Sequence, residues 1–236
     1  MREYRIKQQN MIVSVFLGGS KGNIIYASGL PQYLDKNHPL VQQSVKLGYN
    51  LFIPKYPGSY ESSGFLTIDG CVKALENTQK IVRRGYAKEL FSEQKITWDP
   101  TKIFILGFSF GGLPALLSKN SNVDKKALVC PFISLSFHDN NTNGESLSST
   151  LDFIKRAYPH VYRFDKDRLL KSIKDVTLPA RSENLIIVEA IDDQSISKEE
   201  IDFLTTKYHC QVFKKSGSHS INMPDELFKS LWSSHE

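Results

Sequence analysis

The hexapeptide Gly107-Phe108-Ser109-Phe110-Gly111-Gly112 stands directly between an apolar run, Lys102–Leu106, and a helical stretch, Gly112–Ser118. A serine on a sharp strand-to-helix turn needs strained backbone geometry, and glycines two residues to either side remove the side chains that would collide there. Few architectures supply a strand that ends at an open edge and a helix that starts at once. The feature therefore points to a mostly parallel sheet covered by helices. Such a turn aims the Ser109 hydroxyl out of the sheet's C-terminal edge. It also points the N–H of Phe110 at the place where a tetrahedral oxyanion would form.

The rest of the chain repeats the same alternation. Short apolar runs rich in β-branched and aromatic residues predict strands at Ile12–Leu17, Asn50–Pro54, Lys102–Leu106, Ala127–Cys130 and Leu185–Val188, with a weaker one at Cys210–Phe213. Helices are predicted between and after them at Pro39–Leu47, Ile68–Arg84, Gly112–Ser118, Ser197–Lys207 and Pro224–Ser233. In the second of these, Val72, Leu75, Thr78 and Ile81 or Val82 recur at helical spacing, which marks a core-facing stripe. A chain of 236 residues with this pattern is expected to form one α/β domain. Residues 136–180 break the alternation with a polar stretch at 139–144 and helical pieces at Ser149–Ala157 and Asp165–Ile173. A small helical, lid-like insertion is the simplest account.

Serine is a weak nucleophile unless a base takes its proton, and the base needs an acid to orient it. Both follow in order. Asp192 and Asp193 lie just beyond the strand Leu185–Val188, and His219 lies beyond Cys210–Phe213. Loops after successive parallel strands converge at one edge, beside Ser109. Among the six histidines only His219 has such a place, and His38, His138, His160, His209 and His235 are expected to be solvated or structural.

The run Trp98-Asp99-Pro100-Thr101-Lys102-Ile103 followed by the Ser109 hexapeptide resembles the catalytic domain of the prolyl oligopeptidase family, within the α/β-hydrolase superfamily. The segment Ile53-Pro54-Lys55-Tyr56-Pro57-Gly58-Ser59 with Ser63-Gly64-Phe65 is similar to that family's strand-then-R-G-S segment, with Pro57 in place of the arginine. The resemblance implies an α/β-hydrolase fold and a serine hydrolase that cleaves a carboxylic ester, thioester or amide through an acyl-enzyme. It favours Asp193 over Asp192, because an aliphatic residue, Ile196, follows at the usual interval. It also implies that Leu17-Gly18-Gly19-Ser20-Lys21-Gly22 is the first oxyanion loop, with an N–H near Gly19 or Ser20 joining that of Phe110. Phe16 stands where the family's peptidases carry a tyrosine, so small esters are expected ahead of peptides. Phe108, beside the serine, and Tyr158 and Tyr162, from an insertion roofing the pocket, are expected to touch substrate.

Composition excludes several other classes. The net charge is +5, yet the 30 Lys and Arg are scattered without a basic run, which argues against nucleic acid as partner. Three widely spaced cysteines suggest neither a disulfide framework nor a metal site, and fit a cytoplasmic protein. The apolar run Met11–Leu17 is too short to span a membrane. The glycines at 18, 19 and 22 invite comparison with a dinucleotide-binding loop, but Asn23-Ile24 follow where a further glycine is needed. The expected partner is thus a small-molecule acyl substrate, with no cofactor. A non-catalytic binding protein of the same fold, or a peptidase or acyltransferase with the same residues, is the alternative.

Overall fold

A computed structural model describes residues 1–119, 123–138, 147–221 and 223–232. Among the described residues there are ten strands: β1 (Glu3–Gln8), β2 (Met11–Phe16), β3 (Gly22–Ala27), β4 (Tyr49–Pro54), β5 (Tyr86–Lys88), β6 (Lys95–Thr97), β7 (Ile103–Phe108), β8 (Lys125–Val129), β9 (Leu185–Ala190) and β10 (Gln211–Lys215). β5 and β6 form a small separate hairpin, and the other eight build one sheet in the order β1-β2-β4-β3-β7-β8-β9-β10. β2 pairs antiparallel with both of its neighbours, whereas every pair from β4 to β10 is parallel. β2 therefore runs against the other seven strands.

Helices α1 (Pro39–Lys46), α2 (Ile68–Arg84), α3 (Gly112–Leu117), α4 (Leu135–His138), α5 (Leu147–Ala157), α6 (Lys166–Lys174), α7 (Lys198–Tyr208) and α8 (Asp225–Trp232) complete the chain. The pleat of β7 separates two layers. Phe104 stacks on Trp232 of α8, while the backbone at Gly107 lies against Ala115 of α3. All six residues of β2, β3 and β4 are buried, as strands covered on both faces must be. α2 starts where the Thr67 hydroxyl accepts the N–H of Gly70 and ends at Gly85, whose φ of 74° suits glycine. Leu75, Thr78, Ile81 and Val82 of α2 are buried, as their spacing predicts.

Lys126 of β8 is buried and donates to the carbonyls of Leu116 and Ser118, at 3.4 and 2.6 Å, so it caps the C-terminal end of α3. Burial pushes its ammonium down to about 7. No helix among the described residues is long and apolar enough to cross a membrane.

Two strands of the sheet have no counterpart among the predicted runs. β1 is polar because it forms the sheet's edge. β3 opens with Gly22 and Asn23, which hide the apolar run behind them. Asn23 is fully buried, and its amide is satisfied by Asp99, Lys102 and Asn50. The insertion contains α5 and α6, displaced by a residue or two from the predicted pieces, while the polar stretch at 139–144 and His235 lie outside the described residues. The insertion is stitched to the loop after β4. Tyr60 N–H donates to Val161, Leu66 N–H to Arg163, and Arg163 N–H to Gly58.

Candidate active site

Ser109 follows β7 in one turn of 3₁₀ helix with φ at +50°, a strained value for a residue with a side chain. Close packing enforces the turn. A Cβ on Gly111 would stand 2.0 Å from the carbonyl oxygen of Ala27, and one on Gly107 would stand 2.9 Å from both Ala115 and the Gly111 carbonyl. The Ser109 carbonyl accepts the N–H of Phe132, which ties the turn to the chain leaving β8.

The loops after β9 and β10 bring the other two groups to the same edge. His219 Nε2 lies 2.9 Å from Ser109 Oγ, and its Nδ1 lies 2.8 Å from Asp193 Oδ2. The tautomer that satisfies both carries its proton on Nδ1 and accepts the serine proton on Nε2. Asp193 Oδ1 accepts the N–H groups of Ser195 and Ile196 at 2.8 and 3.1 Å. Burial pushes the Asp193 carboxyl up, but the His219 contact and those two backbone donors outweigh it and hold the net value below the ordinary one. Asp192 faces elsewhere. Its carboxylate accepts the N–H of Gly217 at 3.2 Å and its own N–H donates to the Gly217 carbonyl, bracing the histidine loop.

Cys130, the residue after β8, has a φ of +44°, and its thiol joins Asp193 and His219 in a cluster whose ligand atoms lie within 4.8 Å of one another. Burial, then the charge of Asp193, drives its thiol up, so it stays protonated. Among the described residues this is the one such group that could hold a metal ion, but both ring nitrogens of His219 already face Ser109 and Asp193. A metal there would compete with those contacts.

The loop expected to supply the first oxyanion donor is at the wrong edge. Because β2 is antiparallel, Phe16 pairs with Leu51 at the start of β4, and the N–H groups of Gly18 and Gly19 are taken by the Asn50 side chain at 3.0 and 3.3 Å. Neither Gly19 nor Phe16 approaches Ser109. The loop that does lie against Ser109 is the one after β3, Ser28–Gln32. A Cβ on Gly29 would stand 3.0 Å from the Phe108 ring and 3.3 Å from Ser109 Cβ, and the Leu30 N–H has no partner among the described residues.

That loop is held by a ring of hydrogen bonds. Gln32 N–H donates to the Tyr162 hydroxyl, Tyr162 to the Tyr60 hydroxyl, and Tyr60 to the Gln32 carbonyl, at 3.3, 3.0 and 2.7 Å. Gln32 Oε1 accepts from Gly29 N–H and the Tyr26 hydroxyl at 3.1 and 2.8 Å. Tyr162, expected at the pocket surface, is thus a buried brace of this loop. Tyr158 packs edge-on against Phe153 and Tyr162, and like Tyr162 it is absent from the cavity of about 330 Å³ lined by Phe108, Leu106 and Leu40. Phe108 does line that cavity, its ring tilted against His219 at 5.3 Å.

The chain is similar to esterase Pf2001 of Pyrococcus furiosus, at a TM-score of 0.61 and 18% identity over 92% of this chain and 83% of that one. It is similar also to the α/β hydrolase GrgF of a Penicillium species, at 0.65 and 12% over 92% and 90%. A monoacylglycerol lipase of Paleococcus ferrophilus matches at 0.60 and 12% over 94% and 91%. This chain has the α/β-hydrolase fold. No protein-family model and no curated protein matches the sequence. The α/β-hydrolase likeness is one of fold, and it does not single out the prolyl oligopeptidase family that the Ser109 and Trp98 segments resemble.

Proposed function

We propose that the protein is a serine hydrolase that cleaves carboxylic esters of small molecules through an acyl-enzyme. The observation that carries this reading is the continuous contact from Ser109 Oγ through His219 to Asp193, at 2.9 and 2.8 Å. His219 Nε2 takes the serine proton as Oγ attacks the carbonyl carbon, and returns it to the leaving oxygen as the ester bond breaks. Water then adds to the acyl carbon with His219 again as base, releasing the acid and restoring the serine. Asp193, ionised, keeps the imidazole in the required tautomer and stabilises the imidazolium that forms in each step.

The N–H groups of Phe110 and Leu30 stabilise the tetrahedral oxyanion, the first from the turn itself and the second from the loop that packs on it. Two features support that pairing: the fit of Gly29 against Ser109 and the unspent N–H of Leu30. The resemblance to prolyl oligopeptidases extends the same chemistry to amides, which a screen with peptide amides tests directly. Turnover of a nitrophenyl acyl ester is the primary assay. Ser109→Ala lowers it by at least about 1,000-fold in a protein whose circular dichroism matches wild type; undiminished turnover would assign the chemistry elsewhere.

A further inference from the structure

Beside Phe108 a cavity of about 330 Å³ opens on the sheet face covered by α1 and α8. Its volume falls at the low end of small-ligand pockets, roughly 300–1,000 Å³. The floor is apolar. Tyr26 and Leu106 sit opposite each other in register on β3 and β7, as do Phe108 and Val129 on β7 and β8. Leu40 of α1 closes one wall, and Ile221 of the loop after His219 closes the other.

The polar groups in the lining are uncharged. His38 Nδ1 accepts the Leu40 N–H at 3.2 Å and burial draws its pKa down, so the ring is neutral with its proton on Nε2. The Gln32 amide spends its oxygen on Gly29 and Tyr26. No lysine, arginine or carboxylate lines the cavity among the described residues, so neither an anion nor a cation finds a counter-charge.

We infer that this cavity binds an uncharged apolar chain or ring of the substrate, directing it beneath Phe108 toward α1 and away from the 136–180 insertion. That the bound group belongs to a substrate of Ser109 rests on the hydrolase reading; the binding itself does not. A chain entering along the Phe108 ring leaves the carboxyl end near His219, and apolar burial at about 25 cal/mol per Å² drives it in. Either the acyl group or the alcohol of an ester could supply the chain.

Binding is tested first without chemistry, in the Ser109→Ala protein. Octanamide, neutral and apolar, raises its Tm by a few degrees, whereas octanoate and octylammonium at the same concentration raise it less. Adding Leu40→Trp or Ile221→Trp, which fill the cavity from opposite walls, removes the octanamide shift, and Tyr158→Ala retains it. No shift with octanamide, an equal shift with a charged analogue, or a full shift in both tryptophan variants overturns the inference. Turnover then identifies the source of the chain in wild type. kcat/KM rises at least about tenfold with chain length in either the nitrophenyl acyl series or the alkyl acetate series, and the tryptophan variants flatten that gain. Octanamide binding in a protein that cleaves no ester would leave the cavity standing and the hydrolase reading refuted; ester cleavage with flat profiles in both series would do the reverse.

Discussion

The loops after β2 and β3 look alike in sequence, each a short glycine-bearing stretch behind an apolar strand, yet they do opposite work. Leu17–Lys21 closes the edge where the parallel strands begin, the N–H groups of Gly18 and Gly19 spent on the Asn50 side chain and that of Lys21 on the Gly48 carbonyl. Ser28–Gln32 lies at the other edge, pressed against Ser109 and held by Tyr60 and Tyr162. Strand direction alone separates them. A loop reaches the nucleophile only if its strand runs with β7, and β2 is the strand that does not.

Substitutions in the two loops should therefore separate activity from stability. The largest expected effect on activity is from Gly29→Val, whose added carbons would enter the space of the Phe108 ring and Ser109. kcat/KM for a nitrophenyl ester falls about 100-fold, the scale expected for a misplaced reacting group. Retained activity would place the oxyanion site elsewhere. Tyr162→Phe breaks the hydrogen-bond ring and is milder. It lowers kcat about tenfold and leaves KM within twofold, because one donor of an oxyanion site loses its alignment while substrate contacts persist. A rise in KM at constant kcat would instead assign Tyr162 to substrate binding.

The smallest effect on activity is from the β2 loop. A Cβ on Gly18 would stand 2.3 Å from the Tyr49 carbonyl oxygen and 2.8 Å from Val45 Cα, so Gly18→Ala costs about 1–3 kcal/mol of stability through overpacking. Tm falls by several degrees while kcat per folded molecule stays within twofold of wild type. A tenfold loss of kcat in folded protein would restore this loop to the site and break the comparison.

What was legible in the sequence follows the same division. The Ser109 turn is local, its glycines, preceding strand and following helix all contiguous, and it could be read without knowing the sheet order. Asp193 and His219 were legible because each closes a strand parallel to β7. The placement of the Ser28–Gln32 loop against Ser109 was not, since it depends on β2 running backwards and on a strand, β3, whose opening Gly22 and buried Asn23 mask the apolar pattern. Tyr162 carried an aromatic signal that could mean surface or brace, and only its meeting with Gln32 and Tyr60, far apart in the chain, decides between them.

The central claim is that Ser109 is a nucleophile activated by His219. Its most direct test is to treat the protein with a small alkyl fluorophosphonate and locate the adduct by peptide mass spectrometry. The account requires one phosphonyl group per chain on the Ser109 hydroxyl, and at least about a 1,000-fold slower reaction in His219→Ala. An unlabelled native protein, or an adduct at any other residue, contradicts it.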